Sequence, residues 1–191
     1  VNALRWRMTA ARHEPLRDMW AFELGDDEAG AVERFVGAGG GLLACHTAVI
    51  CFDADPRWRA CLGASWNWER SSHPPAGVAR VAVTDAGRAH PITAGTDDFS
   101  TVDEIYGFLD VDPDVVPLLS SAHGGVDHPL MWARALGRGR VVTDLLGHDA
   151  AAMDQTDHAR ILRRAVRWLT ATAGPQQPAP TPSGPTHPAA P

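Results

Sequence analysis

GGGLLACHTAV, residues 39–49, decides how this 191-residue chain is read. A glycine run leads into the short apolar segment Leu42–Cys45, too brief for a helix and apolar enough for a buried strand. Strand alternation puts Leu43 and Cys45 on one face and Leu42 and Ala44 on the other. His46 therefore falls at the turn, where a strand passing sharply into a helix holds a side chain above the sheet, close to backbone N–H groups. Cys45 reads as a small packed hydrophobe, since a reactive thiol needs an exposed, electropositive setting.

Working outward, Asp26 or Asp27 can cap a helix carrying Ala29, Val32, Phe35 and Val36 at helical spacing, with Gly37 and Gly39–Gly41 stopping it. Before it, TAARHEPLRDMWAFELG reads as a loop interrupted by Pro15. VNALRW at the start reads as the end of a strand, and with Val1 in first place the expectation is a chain lacking its first strand and helix. A further helix is expected around Pro56–Leu62. The β-type runs are Val78–Thr84, Phe99–Phe108, Val115–Ser121, Leu130–Leu136 and, after a GRGR hairpin turn, Val141–Gly147. A closing amphipathic helix presents Ile161, Leu162, Ala165, Val166 and Leu169 on one face. Residues 1–173 read as one domain and 174–191, Pro-rich without apolar periodicity, as a disordered tail. The order of elements points to an α/β sandwich with a mostly parallel sheet.

Composition narrows the function classes. The formal charge is −6, and all 17 cationic residues are arginine without a basic stripe, which argues against a nucleic-acid partner. No apolar run reaches the length of a membrane span. Three cysteines without CxxC spacing, Cys45, Cys51 and Cys61, indicate neither a disulfide framework nor a cysteine zinc cluster, and free thiols lean toward a cytoplasmic setting.

Polar residues cluster where strands are expected to end, the place at which ligands sit in open α/β sheets: His46, then Asp103 and Glu104 with Tyr106 following, then His148 and Asp149. Two imidazoles with one or two carboxylates can serve as general acid and base or can bind a divalent metal, with His46 and His148 as the candidate metal ligands. Spacing along the chain leaves that choice open. His73 follows an aromatic stretch, and Trp66, Trp68 and Trp132 could either stack on a sugar face or lie in the core. His90 before Pro91 reads as a turn-shaping residue, and His13 and His123 as surface loop residues.

FVGAGGGLLACHTA resembles the signature of the trehalose-utilisation (ThuA-like) proteins. The resemblance continues through CLGASWNWERSSHPP, HPITAGTDDFSTVDEIY and HPLMWARALGRGRVVTDLLGHD to the closing helix, covering roughly Asp26 to Leu169. It implies a flavodoxin-like three-layer α/β sandwich similar to the class I glutamine amidotransferases, with histidine at the position of their nucleophilic cysteine, matched by His46. It makes LLGHD the counterpart of the strand-end segment that completes the amidotransferase triad. Three departures stand out: Ala44 in place of a glycine, Met153 where an aromatic residue is common, and no counterpart of the first strand and helix. A sheet lacking that strand would expose an edge for a partner to complete, so association into a homo-oligomer is left open.

The resemblance implies a role in the catabolism of trehalose, a related disaccharide or a 3-keto sugar, with a sugar or keto-sugar as ligand. His46, His148, Asp149 and Glu104 would carry the chemistry, Asp149 orienting His148. His73, Trp66, Tyr106 and Asp103 would contact the substrate. The competing readings are a non-catalytic sugar-binding or assembly module and, less well supported, a glutamine amidotransferase using Cys45.

Overall fold

The computed structural model describes residues 5–171, so the expected tail lies outside the described residues, as do Val1 to Leu4. Arg5–Thr9 run without regular structure, and the expected opening strand end, residues 1–6, lies mostly outside the described residues. The Pro15 segment forms helix α1 (Glu14–Trp20), because Pro15 sits in the first turn, where a helix does not need its N–H. Helix α2 (Asp26–Gly37) starts with three acidic residues, favourable at the positive end of the helix dipole. Strand β1 (Gly41–Cys45) and helix α3 (Pro56–Leu62) follow, the helix capped by the Asp55 carboxylate and ended by Gly63 at φ 75°. Then come β2 (Ala64–Ser65), β3 (Gly77–Val83), helix α4 (Asp85–Ala89), β4 (Phe99–Asp103), β5 (Asp110–Val111), β6 (Val116–His123), β7 (Val126–Leu136) and β8 (Gly139–Asp144). Helices α5 (Ala150–Asp154) and α6 (Thr156–Thr170) close the described chain.

Among the described residues the main sheet has six strands in the order β1-β8-β7-β6-β3-β4, and β2 pairs with β5 in a separate ribbon. Only β1 and β8 run parallel; β8–β7, β7–β6, β6–β3 and β3–β4 are all antiparallel. This corrects the expectation of a mostly parallel, flavodoxin-like sheet. The reason is local. His123 pairs with Val126 across Gly124 and Gly125, at φ 59° and 77°, and Leu136 pairs with Gly139 across Gly137, at φ 59°. A two-residue turn with positive φ can join only antiparallel neighbours, whereas a parallel pair needs a long crossover.

The α/β layering stands. Leu42, Ala44 and Val141 bury one sheet face with Val36 of α2 and Trp58, Cys61 and Leu62 of α3. Leu43 and Val142 point the other way and pack with Ile161, Ala165 and Leu169 of α6. Val166, expected on that buried face, is instead 48% exposed. The approach of α2 to β8 demands a glycine, since a Cβ on Gly139 would lie 1.9 Å from the Val36 carbonyl oxygen. The expected strand Phe99–Phe108 stops at Asp103, whose Oδ1 accepts the Glu104 N–H and diverts the backbone from the ladder. Among the described residues no helix is long and apolar enough to cross a membrane.

The first turn of α6 is tied to the end of β8 by a fully buried pair. His158 Nε2 lies 2.7 Å from Asp144 Oδ2, and His158 Nδ1 lies 2.9 Å from the Ala152 carbonyl. Both partners accept, so both ring nitrogens are donors and the imidazole is charged. Burial opposes that charge, but Asp144 outweighs it and holds the His158 pKa up at about 9. With the folded value above the ordinary 6.5, the stabilisation is complete below about pH 6.5 and is lost as pH rises through 9. Urea unfolding should show stability falling by roughly 3 kcal/mol between pH 6.5 and 9.5, with Asp144→Asn removing most of that slope. A flat profile for the unaltered protein would contradict the charged pair.

Candidate functional site

Strand β1 delivers His46 at its end in a left-handed conformation, φ 45°, at the start of the 3-10 turn His46–Val49. That backbone region costs a non-glycine residue on the order of 1–3 kcal/mol and is kept only where surrounding contacts impose it. Here the contact is His46 Nδ1 to the Leu145 carbonyl, 2.8 Å. A carbonyl only accepts, so Nδ1 carries the proton and a neutral ring turns the lone pair of Nε2 away from the sheet. Nε2 faces the Tyr106 hydroxyl at 3.1 Å. Burial first, and then the negative charges of Glu104 and Asp103, push the Tyr106 pKa up, so the phenol keeps its proton and donates.

Glu104 is the centre of the cluster. Its Oε2 lies 3.6 Å from His46 Nε2 and 3.2 Å from His148 Nδ1, while its Oε1 lies 3.5 Å from His73 Nδ1. The Glu104 side chain is 14% exposed, with His46 buried behind it and His73 and His148 at 36% and 43% on the open side. Tyr106 and Trp66 line one flank with ring centroids 5.3 Å apart, and His73 packs on Tyr106 at 5.2 Å. The structure thus brings together His46, Glu104 and His148, with His73, Tyr106 and Trp66 beside them, from four separate parts of the chain. Three imidazoles, one carboxylate, a phenol and an aromatic wall can move protons next to a ring-shaped polar ligand.

Two expected site residues take other roles. Asp103 does not face the open side. It is buried, and its carboxylate accepts backbone N–H groups from Glu104 at 2.8 Å, Gly147 at 2.7 Å and His148 at 3.2 Å. It fixes the backbone of two residues of the cluster. Asp149 does not orient His148: its Oδ1 caps helix α5 by accepting the Ala152 N–H at 2.8 Å, and Glu104 is the carboxylate that meets His148. For Asp103 and Glu104 alternation explains the division, since consecutive residues leaving a strand point to opposite sides.

The other aromatic and histidine candidates separate cleanly. Trp132 is core, with its indole N–H donating to the Leu62 carbonyl at 2.8 Å. Trp68 is 41% exposed and donates to Asp53. His90 accepts the Ile92 N–H and packs on Trp168, shaping the turn after α4. His128 accepts the Phe108 N–H through Nδ1 and donates to the His123 carbonyl through Nε2. Sequence reasoning missed the Leu145 carbonyl and the Asp144–His158 pair, and no spacing signal marks either.

Cys45 is partly buried beside Asp144. Burial first, and the Asp144 charge second, push its thiol up to about 11, far from a nucleophilic thiolate.

The chain matches the family model of trehalose utilisation, ThuA, over residues 19–169. It matches no curated protein at a significant level. A ThuA-like protein from Parabacteroides merdae superposes with a TM-score of 0.70 at 18% identity, covering 82% of this chain and 70% of that one. One from Bacteroides uniformis gives 0.62 at 21% identity, covering 76% and 64%. A β-galactosidase from Rahnella sp. R3 gives 0.57 at 15% identity, covering 76% of this chain and 21% of that enzyme. These likenesses establish a shared fold, and the chain spans about two thirds of the length of the ThuA-like proteins.

Two measurements check the geometry. At pH 7.5, iodoacetamide should alkylate Cys45 roughly two orders of magnitude more slowly than an ordinary free thiol, read by peptide mass spectrometry. Asp103→Asn should cost about 1–3 kcal/mol in urea unfolding, because the amide NH₂ meets a backbone N–H where the carboxylate accepted one. An Asp103→Asn protein as stable as the parent would remove its bracing role.

Proposed function

The chain belongs to the trehalose-utilisation (ThuA) family, and from that premise we propose that it acts on a disaccharide or its 3-keto derivative in sugar catabolism. The observation that carries the reading is the convergence of His46, His73 and His148 on Glu104 beside the Tyr106–Trp66 wall. A keto group at C3 acidifies the C2–H bond. His148, exposed and held by Glu104 through Nδ1, takes that proton at Nε2. The electron pair left on C2 forms a double bond to C1 and expels the glycosidic oxygen, which takes a proton from His73 or from water. Addition of water across the double bond completes net hydrolysis. Glu104 contributes by fixing the tautomers of both imidazoles and by stabilising the imidazolium that forms. Trp66 and Tyr106 offer the apolar face on which a pyranose ring stacks.

A second reading, a sugar-binding module without chemistry, is supported by one finding. A similar fold makes up 21% of a β-galactosidase chain, so the architecture also occurs as a minor part of a larger glycosidase. A Cys45-dependent amidotransferase is disfavoured by the raised thiol pKa.

Proton NMR of trehalose and of 3-keto-trehalose, each incubated with the protein, separates these readings. The expected result is conversion of the keto sugar, slowed by 10²–10⁴-fold in Glu104→Gln and in His148→Ala and unchanged in His123→Ala. Saturation-transfer signals from a bound sugar that is never converted would favour the module.

A further inference from the structure

We infer that the same cluster is a binding site for one divalent transition-metal cation, held by His46 Nε2, Glu104 Oε2 and a ring nitrogen of His148. The inference rests on the sugar-active reading and gives its site an electrophile; with the cation bound, His148 is a ligand and the C2 proton passes to His73 instead.

His46 Nδ1 donates to the Leu145 carbonyl, so in the neutral ring Nε2 is an acceptor. It faces the Tyr106 hydroxyl at 3.1 Å and, at 3.6 Å, a second acceptor, Glu104 Oε2. The latter distance is too long for a hydrogen bond, and two lone pairs facing each other repel. The Tyr106 hydroxyl beside them carries one proton for two acceptors, and a cation between Nε2 and Oε2 answers both lone pairs. A cation accounts for more, because His148 Nδ1 converges on the same oxygen from the other side, at 3.2 Å. One donor atom from each of the three residues lies within 4.8 Å of the others. Tetrahedral coordination at about 2.1 Å sets donor separations near 3.4 Å, and the His46–Glu104 and Glu104–His148 contacts, at 3.6 and 3.2 Å, lie on either side of that value.

The surroundings fit as well. Metal-bound histidines commonly donate their other N–H to a carbonyl, as His46 does to Leu145. The backbone of both other donors is braced by one carboxylate, Asp103, through the N–H groups of Glu104 and His148. His148 is 43% exposed, so the cluster opens toward solvent and leaves positions for oxygen ligands. Two imidazoles and one carboxylate suit Zn²⁺, Mn²⁺ or Fe²⁺ rather than Ca²⁺ or Mg²⁺. The oxygen ligands would be water or a vicinal carbonyl and hydroxyl pair on a sugar.

The test is isothermal titration of the chelator-treated, full-length protein with Zn²⁺, paired with the visible spectrum of the Co²⁺ form. One equivalent is expected per chain, with a tetrahedral or five-coordinate Co²⁺ band. Affinity should fall at least tenfold in Glu104→Gln and in His148→Ala and stay unchanged in His123→Ala. Because His148 is exposed, its variant should keep the parent circular dichroism even if the Glu104 variant does not. No binding, or binding that His148→Ala leaves intact, overturns the site. The sugar-active reading fails separately: a cation bound at this site in a protein that converts no sugar leaves the site standing. Full conversion by chelated, metal-free protein overturns a cation's part in the chemistry.

Discussion

Cys45 lies opposite Asp144 in the parallel pairing of β1 with β8, and the rest of the molecule is arranged around that register. It places the residue after Cys45, His46, beside the residue after Asp144, Leu145, so that the carbonyl of one meets the ring of the other. It also sets Asp144 where its two oxygens serve different masters. Oδ2 binds His158 and anchors α6, while Oδ1 accepts the Leu146 N–H and starts the turn that carries His148 outward. A one-residue slip would turn Leu42 and Ala44 away from α2 and α3 and separate the two halves of the site.

Around this pairing, adjacent carboxylates are divided between structure and chemistry. Asp103 turns inward and accepts three backbone N–H groups, one of them, that of Gly147, buried. Glu104, one residue on, turns to the open side and meets three histidines. Asp144 and Asp149 both serve structure, one as a buried counter-ion and one as a helix cap. The outcome is a site whose polar members are positioned by groups that never reach it, as a precise polar cluster requires.

Much of this was legible in the chain. Alternation through Leu42–Cys45 placed His46 rather than Cys45 at the turn, and the burial of Leu42 and Ala44 on one face with Leu43 on the other follows that pattern. Strong helix and strand signals located α2, α3 and α6 and most of β3, β6, β7 and β8. The mostly parallel sheet was misread even though the hairpin signal at GRGR was recognised, because the strand–helix–strand opening was given more weight than the antiparallel pairing that short turns enforce. Pro15 was misread as a helix breaker because its penalty depends on whether it falls in the first turn or the interior.

The sequence by itself determined the residue types of the site and their places at strand ends, since periodicity and glycine punctuation are local properties of the chain. Tertiary structure alone decided which of those residues meet. Asp149 is the neighbour of His148 in sequence, yet its carboxylate caps a helix, and Glu104, 44 positions away, takes the contact. The orienting Leu145 carbonyl and the Asp144–His158 pair belong to the same class. Each joins groups brought close by strand register and helix packing, and pairing between distant positions leaves no periodic mark for a sequence to display.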